Sequence, residues 1–316
     1  MNGPDAGRGA AGQGRGAPRP GTMLWITAAW GLCFLAIRLG LQDAPVLWFA
    51  ALRALIAAAA LLLLCLVQGR GMPRGPRTWT LITLMGVTNV TVAFAAMFAG
   101  TAGMAIGAAA VLANAQPLLI ILPAWWIYRE ALSGRTLLGI TAGFAGLLVV
   151  GLSSGSGTGA WLSLLAAAAV TAGTLLARGL DSTDLVAASA WHFLIGGTLL
   201  TAMATVREPV QAINWTPQFI IVLLFLSLVG TAAAFVAWFR EAAHSRLDLL
   251  TTWTLLVPVI GLGVSLFLPG ERPPPAAAAG AGLVLASLWL VLGQPRHGTG
   301  KGRGTKDSDP AHRTGR

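Results

Sequence analysis

A single arginine, Arg53, stands in PVLWFAALRALIAAAALLLLCLV (residues 45–67), which is otherwise apolar. A guanidinium there is a permanent cation whose planar fork of N–H groups matches a carboxylate or a phosphate. Other polar side chains stand along equally apolar runs: Asn89, Asn114, Gln116, Thr171, Thr174, His192, Thr251, Thr252 and Thr254. Their amides and hydroxyls offer donors and acceptors to a small polar molecule, and His192 can titrate near neutral pH. Trp30 and Trp253 stand deep in apolar runs and can wall a pocket or fill packing. Covalent or metal chemistry has less to build on. The sequence has no HExxH, P-loop or nucleophile-elbow pattern, its carboxylates avoid the middles of the apolar runs, and Cys33 and Cys65 are single. No catalytic residue, metal site or cofactor is expected.

Each candidate also has a purely structural reading. By helical rise Arg53 is roughly 12 Å from the nearer end of its run, and burying it in hydrocarbon costs at least ~2.5–3.5 kcal/mol unless it has a partner or faces water. It must therefore face a protein interior, either as a contact for a carboxylate or phosphate on the substrate or as a guanidinium tied to backbone carbonyls or helix ends within the first half of the chain. His192 is either a titrating group or a neutral histidine bonded between helices. Asn114 and Gln116 precede Pro117, which cannot donate its backbone N–H and crowds the turn before it. A carbonyl near Ala113 is then available to a cavity, and Pro258 repeats the arrangement in the second half. Interhelical hydrogen bonding serves Asn89, Asn114 and Gln116 equally well, and the threonines can bond their own helix.

These residues have to be held by long apolar elements. The chain has 316 residues, 55% hydrophobic and 10% charged, a composition outside the range of soluble domains. Ten apolar runs fall at about 22–40, 45–67, 78–98, 103–127, 135–152, 160–178, 185–205, 217–239, 248–268 and 275–293. Lipid offers the backbone no hydrogen bonds, and runs without in/out alternation exclude a barrel, so each is a helix. The expected fold is an all-α polytopic membrane protein. Residues 1–21 and 294–316 are rich in Gly, Pro and Arg with no apolar period, which predicts disordered tails.

Charge sets an expected orientation. With both termini cytoplasmic, every basic residue except Arg38, Arg53, Arg207 and Arg272 lies on the inner side, as the retention of Lys and Arg in cytoplasmic loops requires. The net charge of +10 is thus a topology signal and does not call for a nucleic-acid partner.

The chain also repeats itself. Pro117, Glu130 and Gly139 recur 141 residues on as Pro258, Glu271 and Gly280, and the same shift places Phe94 on Phe235, Phe98 on Phe239 and Leu147 on Leu288. Two five-helix units, 22–152 and 160–293, follow. Five is odd, so the second enters the membrane from the opposite side, and the pair makes an inverted repeat suited to alternating access about a midplane site.

WGLCFLAIRLG, PVLWFAALRALIAA, ANAQPLLIILPAWWIYREALSGRTLLGITAGFAGLLVVG and its weaker echo VPVIGLGVSLFLPGERPPPAAAAGAGLVLASLWLVLG carry a resemblance. The chain resembles EamA-type members of the drug/metabolite transporter superfamily over about 22–293. The resemblance implies ten helices with both ends inside, a central cavity lined by helices 1–4 and 6–9, and export or exchange of small metabolites such as amino acids. Tyr128-Arg129-Glu130 departs from the usual Gly-Glu pair, which Gly270-Glu271 keeps. The expected partners are a small-molecule substrate and the lipid bilayer, a homodimer is left open, and the expected location is the cytoplasmic membrane. Rival readings are a membrane-embedded enzyme acting on lipid, for which no cluster of acids, bases or ligands stands at a membrane face, and a structural or sensory membrane protein.

Overall fold

The computed structural model describes residues 18–119, 134–153, 157–180, 183–245, 253–254, 256–268 and 274–292. Its elements are helices: α1 Pro20–Gly40, α2 Val46–Val67, α3 Pro76–Ala102, α4 Ile106–Ala113, α5 Gly134–Ser153, α6 Gly157–Ala177, α7 Leu185–Arg207, α8 running from Pro217 to His244, α9 Leu256–Phe267 and α10 Pro275–Leu292. Among the described residues six helices are long and apolar enough to cross a membrane: α1, α2, α3, α6, α7 and α8.

Local chemistry sets the ends. Pro20, Pro76 and Pro217 open α1, α3 and α8 at the first turn, where a missing N–H costs nothing. Thr216 caps α8 by accepting from the Phe219 N–H, and Asp184 caps α7 by accepting from Val186 and Ala187. At the end of α2, Gly69 adopts φ 61°, Arg70 N–H donates to Cys65 O at 2.9 Å and Gly69 N–H to Leu66 O at 3.2 Å. That glycine-dependent stop turns the chain so that Arg70 reaches Asp184 at 2.7 Å.

Two expected helices differ from their apolar runs. The run 103–127 is interrupted: α4 stops at Ala113, Asn114 leaves helical geometry at φ −97° and ψ 19°, and a short helix resumes at Gln116–Leu119. Pro117 is the cause, because it has no N–H for the Ala113 carbonyl. In the run 248–268 the described helix starts at Leu256, which puts buried Pro258 in its first turn. Inside α3 and α8 the hydrogen-bond ladder widens to a π pattern over Gly86–Val92 and Phe225–Ala233.

Packing follows a rule. Where α1 packs on α9, α4 packs on α6; where α1 packs on α8, α6 packs on α3; where α2 packs on α8, α7 packs on α3. The remaining large interfaces, α2 with α7, α4 with α9 and α5 with α10, each join equivalent helices. A shift of five helices therefore maps this set of contacts onto itself. The buried residues form two main cores, one built from α1, α2, α3, α7 and α8 and the other around α4 with residues of α5, α6, α9 and α10.

Polar links tie the helix ends at two faces. At one, Arg38 donates to the Thr101 and Ala102 carbonyls at the end of α3, Thr216 donates to Asp43, and the Glu208 carboxylate accepts the Leu47 and Trp48 N–H groups that open α2. A helix start is thus capped by a carboxylate from a distant helix end. At the other face Arg19 pairs with Glu241 at 2.7 Å and Arg70 with Asp184.

Candidate functional site

Arg53 is the centre of the site. Its side chain is 5% exposed and enters the space between α1, α2, α3 and α8. Nε donates to Thr231 Oγ1 at 3.1 Å, Nη2 lies 3.9 Å from Cys33 Sγ, and the guanidinium carbon sits 4.5 Å from the Phe94 ring centre and 5.7 Å from that of Phe98. Aromatic faces attract a cation, more so where water is excluded. Its described partners come from both halves: Cys33, Phe94 and Phe98 from its own, and the Thr231 hydroxyl from α8.

The π segments build this niche. The Thr231 hydroxyl donates to Leu226 O, five residues back, and accepts from Arg53. In the π segment of α3, Thr91 likewise reaches the carbonyl five residues back, Gly86 O, and also Gly196 O on α7. A Cβ on Gly230 would stand 2.6 Å from Cys33 Sγ, so glycine there admits the thiol to the guanidinium.

Among the described residues, the buried side-chain atoms without a hydrogen-bond partner are Arg53 Nη1, Asn89 Oδ1 and His192 Nε2. Leaving such an atom dry and unpaired costs about 1–3 kcal/mol, more for a charged group. His192 is 2% exposed, and its Nδ1 lies 3.2 Å from Ala188 O, one turn back in its own helix.

The predicted residues fall into two groups. Rings connect the first: His192 lies 4.5 Å from Phe193, Phe193 lies 5.9 Å from Phe94, which covers Arg53, and 5.3 Å from Phe235. Phe235 meets Trp30 at 6.4 Å, and Trp30 meets Trp238 at 5.4 Å. Trp253 packs into the same small cluster as Trp30. The second group meets on α6, where Asn89 rests against Gly173 and Gln116 donates to Thr174 at 2.8 Å. Asn114 donates to Ala110 O of its own helix at 2.7 Å. Thr252, together with Glu130 and Glu271 of the repeat, lies outside the described residues.

Cys33, Thr91 and Thr231 escaped the sequence reading. A lone cysteine and a helix-bonding threonine look ordinary in an apolar run, and the repeat shift of 141 gives no hint either, since it places Thr91 on Ala232.

Comparison with known proteins agrees with this architecture. The chain matches the EamA-like transporter family over residues 21–152 and again over 157–293. It is 26% identical over 276 residues to a WAT1-related chloroplastic protein of Arabidopsis thaliana, covering 83% of this chain and 66% of that one. A protein of Streptantibioticus cattleyicolor named a probable terminal-alkyne amino-acid exporter is 29% identical over 89% of this chain and 97% of its own. An Escherichia coli protein named a probable amino-acid metabolite efflux pump is 26% identical over 84% and 92%. A solved crystal structure superposes with a TM-score of 0.63 at 18% identity, covering 85% of this chain and 94% of that one, which shows a shared fold. With the family sequence present twice and the helices packed in matching pairs, the chain belongs to the EamA-like transporter family.

Proposed function

We propose that this protein is a secondary transporter that exports or exchanges a small polar metabolite, an amino acid by preference, across the cytoplasmic membrane by alternating access. In this reading ten helices form two inverted five-helix repeats, 22–152 and 160–293, with both termini cytoplasmic. Arg53 holds the substrate carboxylate, Asn89 and His192 contribute polar contacts, and Trp30 and Trp253 wall the site. The chain acts as a carrier and not as an enzyme.

The observation that carries the reading is the buried, unpaired Nη1 of Arg53, on a guanidinium set against the Phe94 and Phe98 rings of α3 and held by a hydroxyl from the other half. A cation kept dry at such cost suits a ligand that brings its own negative charge. The names of the exporter relatives support an amino acid. The packing rule supports two halves that rock against each other, and the widened turns in α3 and α8 supply places where such motion is cheap, because π segments relax the helical ladder.

Purified protein in sealed liposomes loaded with unlabelled amino acids is expected to take up the labelled counterpart of one of them in saturable exchange. Folded protein that exchanges none of a full panel of amino acids would remove this reading.

A further inference from the structure

We propose that a furrow on the membrane-facing side of α8 binds an anionic phospholipid, with one acyl chain in the furrow and the headgroup phosphate against Arg19 and Arg240. The furrow holds about 550 Å³. Its floor is α8 from Leu228 to Arg240, one flank is α1 at Thr22 and Trp25, and the other is α2 at Ala60 and Leu64.

It opens outward. On α8 the inward side carries Phe235 and Trp238, both against Trp30, and Thr231, against Arg53. The furrow uses the other side, where Leu228 is 39% exposed and Trp25 at the rim 38%. In a chain that crosses a membrane, apolar side chains left bare on an outer face meet lipid. The site is therefore separate from the proposed substrate contacts.

Size and charge select the occupant. From Leu228 to Arg240 the helix rises about 18 Å, close to one leaflet of a hydrocarbon layer roughly 30 Å thick. Alanines 232, 233 and 237 on the floor keep the groove deep enough for a chain. Both arginines lie at the same end. Glu241 occupies the Nε and backbone N–H of Arg19, yet the Arg19 side chain remains 75% exposed, and among the described residues no hydrogen bond engages its terminal nitrogens. Glu241 itself is 3% exposed, so the mouth of the furrow presents two cations to the surface. Basic residues beside a groove between helices, at the level of the headgroups, match an anionic lipid.

The test titrates the full-length protein in detergent with dioleoylphosphatidylglycerol or dioleoylphosphatidylcholine, read by native mass spectrometry and by Tm. Phosphatidylglycerol is expected to bind more tightly and to raise Tm more. Arg240→Gln should weaken its binding about fivefold, the factor that corresponds to ~1 kcal/mol per basic residue near an anionic surface. Arg207→Gln, an exposed arginine at the opposite face, should leave it unchanged. Ala233→Trp should block both lipids by filling the groove. Equal binding of the two lipids overturns the proposal, as does an Arg207→Gln loss as large as that of Arg240→Gln. So does full stabilisation by glycerol 3-phosphate alone, or a dimer whose formation buries Trp25.

Discussion

At Arg53 the opposing terms can be weighed. Replacing a buried ionic group by an apolar one of similar volume is often neutral or stabilising, while its loss removes the one charge proposed to hold the substrate. Arg53→Met is therefore expected to keep or raise Tm and to abolish amino-acid exchange per folded molecule. Arg53→Ala should lower Tm, because it empties the space between Phe94 and Thr231. Full exchange by Arg53→Met would make the guanidinium structural. The sequence alone marks Arg53 as interior, since lipid will not hold it. It gives no sign of Thr231, 178 residues away, because that contact depends on how α2 and α8 cross.

At the scale of elements two contacts lend themselves to measurement. Where α5 crosses α10, a Cβ on Gly146 would stand 2.7 Å from Gly280 O, and one on Gly280 2.9 Å from Gly146 O. Neither backbone can yield cheaply. Gly146→Val is expected to cost about 1–3 kcal/mol as overpacking, seen as a fall in Tm, and an unchanged Tm would mean that the helices do not meet there.

The second contact is the Arg70–Asp184 pair between the end of α2 and the start of α7. Burial by itself raises the Asp184 carboxyl, but the Arg70 hydrogen bond and the N–H groups of Ala187 and Val186 outweigh it and hold the group below its ordinary 3.8. A lowered native pKa means that the stabilisation is present above 3.8 and disappears as pH falls through the native value. The Tm advantage of the wild type over Asp184→Asn, which keeps the cap, should therefore be flat above about pH 5 and vanish in stronger acid. An advantage that persists in strong acid would exclude the ion pair as its source.

For the whole molecule the proposition is that the halves are threaded in opposite senses. Reporter fusions within residues 131–134 and 271–274 are expected to report opposite sides of the membrane. The same side for both would end the inverted repeat and the transport cycle built on it.

Composition and the length of apolar runs determined that the chain is helical and crosses a membrane, because a hydrocarbon layer requires internal hydrogen bonding and apolar length wherever a chain passes through it. Pro117 signalled the break in α4 for a reason as local as the missing N–H. The tertiary structure decided the rest. Which helices meet, which threonine holds Arg53, which carboxylate caps α2 and where Asn89 and Gln116 meet on α6 depend on crossings between segments far apart in sequence. In an evenly apolar chain many pairings bury the same area, and only close packing of particular side chains distinguishes them.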